Sequence, residues 1–130
     1  MMLSGYSTRD TSWMMRDWQE CAIDPAWITA GAPHALISHI ANDGVISAGY
    51  WHCTQGAFTW RYAVDETIVF LSGIAVIDGQ RHEAGSTASF ARGTTAEWVV
   101  IEAVTKMYVI QKPKSVARRV LGRLSRAVFA

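Results

Sequence analysis

Five side chains in this sequence carry the chemistry worth following. Trp60, Tyr62 and Glu66 stand in the spacing W-x-Y-x3-E, with Trp98 further along and His52 just upstream. An indole N–H only donates, a phenol donates and accepts, and a carboxylate accepts. Brought together, these groups make an aromatic pocket with one charge and one hydroxyl handle, the composition of a small-molecule site. Aromatic walls desolvate a carboxylate and favour its neutral form, which suits a general acid or base near neutral pH. Glu66 is therefore the candidate base and Tyr62 the candidate assisting acid, with Trp60, Tyr62, Glu66, Trp98 and His52 as candidate ligand contacts. A second reading stands beside this one: Glu66 pairs with Arg61, Arg92 or Lys106 to tie two strands together, and the tryptophans simply fill a small barrel. The residues leave both open.

No metal or other cofactor is expected. Tyr62 and Glu66 supply fewer oxygens than a hard cation needs, and an indole cannot replace a ligating imidazole. His34 and His39 flank an apolar run without ligand spacing, and Cys21 and Cys53 have no metal-type spacing either. The two cysteines read as free thiols, Cys53 as a buried and inert one.

The elements that must position these groups are strands. Trp60 and Tyr62 are one residue apart and so share a strand face; a bend follows, and Glu66 opens a β-branched and aromatic run that ends at Gly73. Ala35 to Ala41 and Val45 to Thr54 flank an Asn42-Asp43-Gly44 turn, and the second of these puts Tyr50 and His52 on one face, Trp51 and Cys53 on the other. Phe58 to Tyr62, Glu66 to Leu71, Ile74 to Ile77, an Asp78-Gly79 turn, Gln80 to Glu83, Ser86 to Phe90 and two closing strands from Glu97 and Val104 complete the set. About eight or nine short strands, spaced roughly 8 to 12 residues apart by glycine turns, predict an all-β sandwich or barrel.

The same residues carry a family resemblance. The usual first cupin motif is G-x5-H-x-H-x3-E-x6-G, and here Trp60 and Tyr62 stand at its histidines, Glu66 at its glutamate and Gly73 at its closing glycine. In the second motif Gly85 and Gly93 match, while Ala91, Ala96 and Val100 stand at the proline, histidine and asparagine. The chain resembles the small cupins related to ureidoglycine aminohydrolase and the ethanolamine-utilisation cupin, which show W-x-Y and a later tryptophan. The resemblance covers roughly residues 45 to 112 and implies a jelly-roll β-barrel. It also implies a metal held by histidines, three of whose four ligand positions this chain has replaced.

Length and composition set the frame. One domain with a core is expected of 130 residues, half of them hydrophobic and 18% charged. No apolar run reaches a membrane span and no secretory signal pattern opens the chain, so a cytoplasmic location is expected. Residues 1–34 read as an arm and a short helix with Trp13, Met14, Trp18 and Cys21 on its apolar side, ended by Asp24-Pro25; residues 35–112 as the barrel. Residues 113–130 read as a basic amphipathic helix. From Lys112 onward six basic residues meet no acid, leaving six basic against eleven acidic in the body. Such a helix suits an acidic partner, an anionic membrane or the acidic body itself; aromatics interleaved with the arginines are lacking, and nucleic acid is not expected.

The expected function is a metal-independent cupin that binds a small polar organic molecule in its aromatic pocket. The alternative is an enzyme of metabolite or natural-product chemistry: an isomerase, lyase or cyclase using Glu66 as acid or base, or, following the resemblance, a metal-dependent C–N hydrolase. A homodimer is expected in either case, because hydrophobic residues exceed what a small barrel buries.

Overall fold

The computed structural model describes residues 17–112, and these form one nine-stranded antiparallel sheet that curls on itself. The strands are β1 (Gln19–Glu20), β2 (Ile28–Ala30), β3 (Ala35–Asn42), β4 (Ile46–Cys53), β5 (Gly56–Arg61), β6 (Asp65–Ile77), β7 (Gln80–His82), β8 (Thr87–Phe90) and β9 (Thr95–Gln111), with a short 3-10 turn at Pro25–Trp27. Their order along the main path is β1-β3-β4-β9-β5-β2; β6 lies against β9 and carries β7 and β8. The result is a curled all-β half-barrel, consistent with the expected jelly roll. Among the described residues no helix is long and apolar enough to cross a membrane.

β6 and β9 form the spine. Read from the sequence each is two strands, because Ser72-Gly73 and Glu102-Ala103 interrupt the apolar alternation; in the structure each runs through. β9 pairs with β5 along residues 95–100 and with β4 along 104–111, while β6 follows it over both halves. The sheet turns its corner where the β6–β9 register slips, between Phe70 and Ala75. Gly73 makes the corner: its φ is +81°, and an added Cβ would stand 2.1 Å from the carbonyl oxygen of Ala103. Only glycine fits so tight a bulge.

Strand alternation decides what faces inward. Along β4 Ser47, Gly49, Trp51 and Cys53 are buried, whereas Ala48, Tyr50 and His52 are partly exposed. Along β9 Trp98, Val100, Val104, Lys106 and Tyr108 are buried. Of these, Trp51, Cys53, Trp98, Val100, Val104 and Tyr108 build one apolar core with Phe58, Tyr62, Ile68, Phe70 and Phe90. Its aromatic rings meet edge-on or stacked, as Phe58 on Trp98 at 5.8 Å and Tyr62 on Phe90 at 4.3 Å, geometries that suit the ring quadrupoles.

The N-terminal reading changes in part. Gln19–Glu20, the end of the expected helix, is a strand: it pairs with Leu36 and Ile37, and Cys21 N–H continues the ladder to the Ala35 carbonyl. The edge of β3 offers unpaired backbone groups, and satisfying them outweighs the local helical spacing. Asp24-Pro25 does mark a break, since Asp24 caps the 3-10 turn and Pro25 opens it. The rest of that helix, with Trp13 and Met14, and the whole basic tail 113–130 lie outside the described residues.

Candidate functional site

A cavity of about 130 Å³ opens inside the curl of the sheet. Trp51, Phe58, Trp60, Tyr62, Trp98 and Tyr108 form aromatic walls, Ile37, Ile110 and Cys21 complete them, and Glu66 and Lys106 are the charged groups. Trp51 on β4, Phe58 and Trp60 on β5, and Trp98, Tyr108 and Ile110 on β9 sit at alternating positions, so the two-residue period of the strands aims them at one space, and Tyr62 continues the alternation just past β5. Trp60 is half-buried, and Trp27 from the 3-10 turn packs edge-on against it at 5.2 Å. The N-terminal segment thus supplies part of the wall through Cys21 and backs another part through Trp27.

Glu66 is not a lone carboxylate. Lys106 Nζ donates to its Oε2 at 2.8 Å, and both side chains are more than nine-tenths buried. The ammonium also lies 4.5 Å from the ring centroid of Trp51 and 5.0 Å from that of Trp98. Two indole faces and one carboxylate therefore hold the charge that the interior would otherwise reject. Of the three basic partners weighed for Glu66, the geometry selects Lys106; Arg61 and Arg92 are exposed, and the Arg92 backbone N–H donates to Asp65.

Tyr62 accepts a hydrogen bond from Trp98 Nε1 at 3.1 Å while its ring lies flat on Phe90. Burial, and then the nearby Glu66 carboxylate, push its pKa upward, so the phenol keeps its proton. It is a permanent donor, which weakens it as an acid but not as a hydrogen-bond handle. Tyr108 shares a hydrogen bond of 2.7 Å with His39 Nδ1, and its pKa too is raised, chiefly by burial. Burial likewise raises the Cys21 thiol.

Trp60, Tyr62, Glu66 and Trp98 are thus brought together as expected, and His52 is not. His52 lies on the opposite face of β4, where its Nδ1 meets Thr105 Oγ1 at 2.9 Å and its ring meets Trp18 edge-on. Trp51, its neighbour on the inner face, is the residue that belongs in the site. Alternation with Cys53 marks that face, and Lys106 could have been found the same way. It is the one charged residue at an inward position of β9, between Val104 and Tyr108.

The residues do not fit the metal of the usual cupin motif. Trp60, Tyr62 and Ala96 occupy its histidine positions, Ala96 offers no donor, and Glu66 is bound to an ammonium that would repel a cation. Among the described residues no group of three or more His, Cys, Asp or Glu side chains converges on a point.

Comparison with known proteins agrees with the fold. The EutQ-like cupin domain matches residues 40–108, more than half of the chain. This chain belongs to that cupin family. Solved structures similar to this cupin include the EutQ protein of Clostridium difficile, with a TM-score of 0.53 at 16% identity over 62% of this chain and 69% of that one. An ethanolamine utilization protein Q assigned in Salmonella typhimurium gives 0.55 at 16% identity, covering 75% and 95%. A Pseudomonas syringae protein of unknown function gives 0.64 at 17%, and here the cupin spans 75% of its own length and 45% of the other chain. At such identities the likeness is one of fold. No curated protein matches the sequence.

Proposed function

We propose that this cupin is a binding module which takes up a small polar organic molecule in the aromatic cavity, without a metal and without turnover. The observation that carries the proposal is the cavity itself. It has aromatic walls on most sides and a few convergent polar groups, Tyr62 and the Glu66–Lys106 pair, which is the make-up of an organic-ligand site. A barrel whose tryptophans served only as filler would close this space by packing, since interiors normally leave few voids of this size.

The enzymatic alternative has Glu66 as base and Tyr62 as acid. It asks Glu66 to give up Lys106 before taking a substrate proton, and Tyr62 to release a proton its surroundings retain. Binding without turnover needs neither step. A C–N hydrolase of the metal-dependent kind would need ligands that Trp60, Tyr62 and Ala96 do not supply.

A thermal-shift screen of small polar organic molecules tests the reading, because a ligand that binds only the folded state raises Tm by mass action. Hits are expected to lose their effect in Trp60→Phe, which removes stacking area and an N–H donor from the wall. A screen in which nothing raises Tm argues against a binding site, and stoichiometric manganese, zinc or iron in the purified protein overturns its metal-free character.

A further inference from the structure

The binding reading above leaves the chemistry of the occupant open, and the hydrogen bonds around the cavity narrow it. Tyr62 and Glu66 are 4% and 8% exposed, and what surface they keep opens on the cavity they line. The phenol oxygen already accepts from Trp98 Nε1, and the phenol proton finds no acceptor among the described residues. Glu66 Oε2 accepts from Lys106, and Glu66 Oε1 finds no donor among them. One donor and one acceptor are therefore unspent, on two side chains that both line the cavity. Among the described residues no fully buried side-chain nitrogen or oxygen lacks a partner, so the open oxygen of Glu66 faces the cavity space, and an open donor and an open acceptor on one cavity are what an occupant would complete.

The charges limit the occupant further. Glu66 and Lys106 neutralise each other, and the two indole faces cover the ammonium. A carboxylate ligand would bring an unpaired negative charge beside Glu66. An ammonium ligand would bring a second positive charge beside Lys106. Either one leaves a net charge in an aromatic-walled space, at the cost of an uncompensated ion. We infer that the site takes an uncharged molecule bearing a hydrogen-bond acceptor for Tyr62 and a donor for the open oxygen of Glu66. A neutral amide or hydroxy compound small enough for about 130 Å³ fits this description.

The inference rests on the cavity being a binding site, and the experiment separates the two. Propionamide, propionate and butylamine are similar in size and differ in charge; xenon serves as the apolar probe. Each is titrated into the full chain at neutral pH while the indole N–H signals of Trp98 and Trp51 are followed by NMR. Propionamide is expected to move the Trp98 signal and to bind roughly tenfold or more tightly than either charged probe. In Tyr62→Phe, checked for a cooperative melt, propionamide affinity is expected to fall roughly tenfold while xenon affinity holds. Propionate or butylamine binding as tightly as propionamide overturns the inference and leaves the cavity a binding site. So does an unchanged propionamide affinity in folded Tyr62→Phe. Failure of every probe, xenon included, to reach the indoles overturns the binding reading and the inference with it.

Discussion

Lys106 Nζ and Glu66 Oε2 stand 2.8 Å apart in the interior, and this pair joins β9 to β6 across the wall of the cavity. Each residue is contributed by a strand whose other inward neighbours are mostly apolar or aromatic: Ile68 and Phe70 beside Glu66, Val104 and Tyr108 beside Lys106. A charge at either position alone would be expelled, so the two are tolerated only together.

Removing one partner tests that dependence. Glu66→Gln keeps the shape of the side chain but leaves the ammonium with indole faces and a neutral amide, and breaking a buried pair costs on the order of 3 kcal/mol. For a domain of this size such a loss lowers Tm by roughly 10 °C or more. Lys106→Met alone should cost as much or more, because it strands the carboxylate. The double variant Glu66→Leu with Lys106→Met should recover much of the loss. A Glu66→Gln protein that melts like the wild type would show that the pair does not carry the charge of Lys106.

His82 should give the fold a pH dependence, with stability falling toward acid pH. Its ring stacks on Phe70 at 5.2 Å, its Nδ1 meets Ser86 Oγ, and burial lowers its pKa. The folded state thus favours the neutral ring, and the unfolded chain binds the proton more readily. Stability from this group is complete above the unfolded value of about 6.5 and is lost as pH falls through the lower folded value. His52, also lowered by burial, adds in the same direction. Denaturant midpoints should drop between pH 7.5 and 5.5, and His82→Gln should flatten that drop while lowering stability at pH 7.5.

The corner at Gly73 should tolerate no side chain. Gly73→Ala places a methyl group against the Ala103 carbonyl at a positive φ, in a bulge whose partner is backbone and cannot step aside. A loss of several kcal/mol is expected, well above the roughly 1 kcal/mol typical of a single substitution. Gly79, also at positive φ but with open space around it, should cost far less on the same change. Equal midpoints for the two variants in urea would refute the account of the corner.

Much of this was legible in the chain and some was not, for physical reasons. The W-x-Y spacing put Trp60 and Tyr62 on one face because strand periodicity is local, and the Asp78-Gly79 turn showed because both residues take the positive φ a tight hairpin needs. The continuity of β6 and β9 did not show. Gly73 ends a strand by local preference and is kept inside one by β9, which pairs with β6 on both sides of it. The partner of Glu66 was narrowed to three basic residues, and the choice of Lys106 required the register that sets β6 beside β9. His52 was placed in the site for its chemistry; alternation set it opposite Trp51 but did not tell which of the two faces looks inward, and burial of Trp51 and Cys53 decides that.

The expected self-association becomes a proposal about one surface. Val99 and Ile101 are 44% and 45% exposed on the outer face of β9, where Val99 is flanked in register by Ala57 and Val76. An apolar strip of this kind on a sheet is a surface that a second copy can cover. Light scattering at micromolar concentration should give twice the mass of one chain. Val99→Lys with Ile101→Lys should reduce it to one. A monomeric wild type removes the proposal.

The two cysteines should report on the cavity by reacting at different rates. Cys53 has no exposed surface, and burial pushes its thiol up to about 12, so almost no thiolate exists at pH 8. Cys21 is only partly buried and lines the cavity, although burial raises its pKa as well. A disulfide reagent such as DTNB should therefore modify one thiol slowly in the folded protein and the second only with unfolding. Cys21→Ser should abolish the first phase and Cys53→Ala should leave it intact. A molecule that fills the cavity shields Cys21 on one wall, so a ligand found by thermal shift should slow that phase in proportion to its occupancy. Ligand-induced stabilisation with no protection of Cys21 would place the binding site elsewhere on the protein.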